Sequence, residues 1–143
     1  MAAKKGAKGF SDEERAAMQE YTRERKIIWG KNRAEDERAV LEKIETFPEP
    51  DRSMARRLHT IITEAAPRLS PRLWYGMPAY SSEGNVLCFF QPASKFKARY
   101  GTLGFNDAAK LDDGTVWPTS YAVKKLTPSD ESRISALVKK ATA

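Results

Sequence analysis

Beyond Pro71 the hydrophobic period of this chain changes from that of a helix to that of a strand, and this change limits the folds open to it. Before it, Met54, Leu58, Ile61, Ile62 and Ala65 fall on one continuous face at helical spacing. They predict a helix capped by Asp51 or Ser53 and ended by Pro67. After it, residues 73–80 and 86–91 read as strands joined across 81–85 as a hairpin. The second of these, Val86-Leu87-Cys88-Phe89-Phe90, is apolar on both faces, as a central strand is. Residues 98–105 and 115–123 supply two more strands, separated by a short helical turn over 106–111 and a reverse turn at Asp112-Asp113-Gly114. Thr127-Pro128-Ser129-Asp130 then opens a last helix, along which Ile134, Leu137, Val138 and Ala141 repeat. The economical solution is α+β, a mostly antiparallel sheet with helices packed on one face.

Two helical segments precede this pattern. Ser11 followed by Asp12, Glu13 and Glu14 starts a helix over about 12–29. Its apolar residues, Ala17, Met18, Tyr21, Ile28 and Trp29, form only a thin stripe. Gly30-Lys31-Asn32 breaks it, and a second helix over about 34–46 offers Val40, Leu41 and Ile44, then Phe47, before Pro48-Glu49-Pro50. The chain thus divides into a disordered basic tail over 1–9, an N-terminal helical extension over 10–50 and an α+β domain over 51–143.

Residue usage narrows the chemistry. The one histidine is His59 and the one cysteine is Cys88, so there is no intramolecular disulfide, no zinc-ligand spacing and no histidine–cysteine pair close in sequence. His59 borders the apolar face of its helix, and Cys88 sits in an apolar strand where a thiol is inert. Gly101-Thr102-Leu103-Gly104 is too short for a phosphate loop, and Asp112-Asp113 before Gly114 reads as a turn. These readings point to a protein that is not an enzyme. A lone thiol, no apolar signal region in the first nine residues and no membrane-length apolar run place it in the cytoplasm, away from membranes.

Charge and aromatics carry the remaining signal. Of the net charge of +6, most lies in residues 67–143, where 11 Lys and Arg face six Asp and Glu, a balance that attracts an anionic ligand or an acidic protein partner. The stack-and-grip pattern of an RNA-binding sheet is absent, which argues against nucleic acid. Trp74-Tyr75-Gly76-Met77-Pro78-Ala79-Tyr80 is dense in rings. It reads either as a buried strand or as the lining of an apolar pocket. In a strand over 95–100, Lys95, Lys97 and Arg99 share one face, opposite Phe96, Ala98 and Tyr100. That face is either simply solvated or a basic wall beside the aromatic run, with Trp117 closing the same cavity. The expected ligand surface comprises Trp74, Tyr75, Met77, Tyr80, Lys97, Arg99 and Trp117, with core packing as the alternative for the rings.

The order of a helix ending near Ala66-Pro67, the Trp74–Tyr80 run with its Tyr-Gly-Met-Pro core, a Gly-turned hairpin, a Lys/aromatic strand and a terminal helix resembles the YdhG-like family, a domain of unknown function. The resemblance covers about residues 51–141. It implies a frataxin-like α/β sandwich and, for some members, an intracellular iron-chaperone role. Such an iron site uses carboxylates of an acidic first helix and the neighbouring strand. Here the matching first helix and hairpin hold Asp51, Glu64 and Glu83, opposed by Arg52, Arg56 and Arg57. The denser acids, Glu13 and Glu14 among them, lie in the extension, where they are weak metal candidates.

Overall fold

The computed structural model describes residues 11–28 and 33–143. The tail over 1–9, Trp29, the Gly30-Lys31-Asn32 break and the side chains of Tyr21 and Ile28 lie outside the described residues. Helices α1 (Asp12–Ile28), α2 (Arg33–Glu45) and α3 (Asp51–Ala65) come first. Five strands follow, β1 (Ser70–Trp74), β2 (Met77–Ser82), β3 (Asn85–Gln91), β4 (Gly101–Phe105) and β5 (Ser120–Val123), and α4 (Pro128–Ala141) closes the chain. The strands form one antiparallel sheet in the order β1-β2-β3-β4-β5, each paired with its neighbour in sequence. The fold is therefore α+β, as the change of period requires.

Helix starts follow the local chemistry. The Ser11 hydroxyl accepts from the Glu14 amide while the Glu14 carboxylate accepts from the Ser11 amide, and Thr127 and Asp130 make the same reciprocal pair ahead of α4. Helix α3 differs from expectation. Pro50 stands at its N-cap with no side-chain cap, and Asp51 is buried with its carboxylate turned to the amides of Ala93 and Ser94, at 3.3 and 3.0 Å.

The register decides what faces the helices. Pro71, Leu73, Tyr80, Cys88, Phe90, Leu103, Phe105, Tyr121 and Val123 share one side of the sheet through the pairs Pro71↔Tyr80, Tyr80↔Cys88, Phe90↔Leu103 and Leu103↔Tyr121. An irregularity between Tyr80 and Ser81 puts Leu87 and Cys88 opposite the same stretch of β2, so both enter the core. Against this side pack Val40 and Ile44 of α2, Leu58 and Ile62 of α3, and Ile134 and Val138 of α4. The extension is thus no appendage, because α2 and Phe47 are buried in the same core as the sheet.

Three strand boundaries are corrected. Residues 73–80 are not one strand: Tyr75 and Gly76, with φ of 53° and 76°, form a two-residue turn between β1 and β2. Paired positive φ values give a turn whose twist matches that of the flanking strands, and glycine takes one of them without strain. Glu83 and Gly84, at 51° and 83°, repeat the device in the next hairpin. Residues 98–100 precede β4, because Ala93–Phe96 is a 3-10 turn, Lys97 closes it in the left-handed region, and the strand starts at Gly101. The last strand is confined to Ser120–Val123 rather than 115–123.

Candidate functional site

The residues expected to converge are dispersed by these corrections. Tyr80 is in the core on the helix side, whereas Trp74 and Met77, paired with each other across β1 and β2, belong to the opposite side. Trp117 packs against the helix-side core and does not close a cavity with Trp74. Lys97 and Arg99 share no strand face: Lys97 caps the 3-10 turn with its ammonium 3.0 Å from Glu13, and the Arg99 guanidinium lies over the Tyr100 ring at 5.3 Å. Trp74 and Tyr75 do remain together, edge to face with ring centroids 5.2 Å apart.

What the register builds instead is a surface on the side turned away from α2, α3 and α4. Arg72 and Trp74 of β1, Ala79 of β2, Phe89 of β3 and Gly104 of β4 lie there in neighbouring rows through Arg72↔Ala79, Ala79↔Phe89 and Phe89↔Gly104. Phe89 lies over Gly104 so closely that a Cβ there would overlap the ring. The Trp74 indole meets Phe89 edge-on at 5.1 Å. Both rings are half-buried. Beside them opens a cleft of about 480 Å³ lined by Arg72, Trp74, Asn85, Val86, Asn106 and Asp107.

Arg72 is the unusual member. Its Nε is buried without a hydrogen-bond partner, and no carboxylate among the described residues pairs with its guanidinium. A guanidinium partly removed from water and left without a counter-charge is costly. The sequence reading starts this strand at Leu73 and so leaves Arg72 out, whereas β1 from Ser70 sets it on the face of Trp74.

Two other groups of chemical interest are structural. His59 is buried, with Nδ1 2.9 Å from the Tyr80 hydroxyl and Nε2 2.9 Å from the Glu37 carboxylate, linking α3 to β2 and α2. Burial pushes the Tyr80 phenol well above its ordinary value, and it lies 1% exposed. Burial likewise pushes the Cys88 thiol up to about 12, which leaves it unreactive.

The metal candidates do not assemble. Glu13 is engaged by Lys97, and Glu14 by the Ser11 amide. Among the described residues no three His, Cys, Asp or Glu side chains are grouped so as to hold an ion, so the donors present do not fit an iron site. Among them, too, no helix is long and apolar enough to cross a membrane. The chain matches no protein-family model, no curated protein and no solved structure.

Proposed function

We propose that this chain is a non-enzymatic cytoplasmic binding module, with the YdhG-like kinship read from its Trp74–Tyr80 run, and that it takes a small ligand joining one anionic group to a planar ring. The observation that carries this reading is the unpaired, partly buried guanidinium of Arg72 beside Trp74 at an open cleft. A carboxylate or phosphate supplies the two parallel acceptors that guanidinium geometry matches. Trp74, braced edge-on by Phe89, offers its ring to the planar part, and the amides of Asn85 and Asn106 offer orienting hydrogen bonds. Asp107 on the same cleft disfavours a second negative group, which favours a singly headed ligand.

The test is a thermal-shift and NMR titration of the full chain with benzoate, indole-3-acetate, adenosine monophosphate and inorganic phosphate. A ring-bearing anion is expected to raise the melting temperature, with NMR shifts at Arg72, Trp74 and Phe89. Arg72→Met should abolish that response while raising the stability of the free protein by about 1 kcal/mol, since it removes an uncompensated charge. Lack of response to every anion, or an undiminished response in the Met variant, would refute the reading.

A further inference from the structure

The two edges of the sheet are treated differently. Along β1 lies α2, and Arg33 at its start donates to the carbonyls of Pro67 and Leu69 at 2.6 and 2.8 Å, so that flank is occupied. β5 has β4 on one side and, among the described residues, no strand on the other. An uncovered edge exposes main-chain donors and acceptors that can pair with another chain.

Beside that edge, between β5 and α4, runs a groove of about 360 Å³. Val123, Leu126, Ile134 and Leu137 provide apolar lining, and three exposed cations stand around it. Lys124 and Lys125 follow β5 directly, and Arg133 of α4 places its guanidinium over the Tyr121 ring at 5.5 Å. None of the three has an ion-pair partner among the described residues. The acid in this groove, Asp130, accepts from the Thr127 amide in the cap of α4, and Arg133 and Lys125 help to hold its carboxyl below the ordinary value, so it offsets one of the three positive charges. The groove therefore combines an apolar lining, a net positive rim and an unpaired strand edge.

We infer that this groove receives an extended segment of a partner protein in which acidic and apolar residues alternate, added alongside β5 as a sixth strand. Main-chain pairing with the β5 edge gives the segment its direction, its apolar side chains enter between β5 and α4, and its carboxylates, turned to the other face by the period of two, reach the lysines that follow β5, Lys124 and Lys125. This site is separate from the Arg72 cleft and needs no ligand there.

The experiment titrates the labelled full chain with an array of short capped peptides in which Glu alternates with Val, Leu, Ile or Phe, against the same array with Lys in place of Glu. Binding of acidic members should shift the amide resonances of residues 120–126 and of the groove face of α4. The double charge reversal Lys124→Glu and Lys125→Glu should weaken it at least about ten-fold. In a strand, alternate amides point to the same edge, so of two complementary N-methylated versions of the best peptide one should bind and the other should not. The inference is overturned if no acidic peptide exceeds its Lys counterpart, if the shifts centre on Arg72 and Trp74, or if both N-methylated versions bind equally.

Discussion

Gly104 shows how much one residue decides on the side of the sheet turned away from α2, α3 and α4. Its backbone is an ordinary strand backbone, so the glycine is there for space: Phe89 occupies the volume a Cβ would take. Gly104→Ala must push the ring aside, and overpacking of this kind costs about 1–3 kcal/mol. Chemical denaturation should show that loss, with displaced resonances of Trp74 as the ring pair is disturbed. A loss under half a kilocalorie would mean that Phe89 has another rotamer open to it. Arg72 makes the complementary point. Nothing in its own triplet marks it as special, and only the absence of a partner among the described residues does.

Among the elements, the 3-10 turn over Ala93–Phe96 explains why the basic stretch failed to become a strand. Pro92 enters it in an extended conformation, and the Asp51 carboxylate, 42 and 43 residues away in sequence, accepts from the first two amides of the turn. The chain is thereby curled exactly where alternating Lys, Phe and Arg had suggested extension. Asp51→Ala leaves two amides without their acceptor at the foot of α3 and is expected to cost about 2–3 kcal/mol, because bonds to a charged group are the stronger kind. Asp51→Asn keeps one acceptor and should lose about half as much. Equal stability of the two variants by urea unfolding would show that the turn holds without the carboxylate. The long elements, by contrast, were legible: the apolar face of α3 and the Thr127–Asp130 cap of α4 depend on neighbours within a few residues.

For the molecule as a whole, Glu20 ties α1 to the rest. Its carboxylate is 2.8 Å from Lys43 of α2 and 3.1 Å from Lys95 of the 3-10 turn, above the Gly76 turn where a Cβ would overlap it. Burial pushes its pKa up, but the bonds to Lys43 and Lys95 outweigh this and hold it below the ordinary value. A carboxyl depressed on folding stabilises above its unfolded pKa and loses that contribution as pH falls through the folded one. The difference in melting temperature between the protein and Glu20→Gln should therefore be full at pH 7 and shrink below about pH 4.5. A difference that does not change with pH would place Glu20 outside the folding equilibrium. By itself the sequence determined the helices and the α+β class, because period, caps and turn residues act over a few positions along the chain, whereas it read as one strand the stretch that the Tyr75-Gly76 turn divides into β1 and β2. Only the tertiary structure decided that Tyr80 and Trp74 face opposite ways, that Asp51 curls residues 93–96, and that Arg72 has no counter-charge among the described residues. Each of these depends on which distant group arrives at a given point in space, and no local spacing records that.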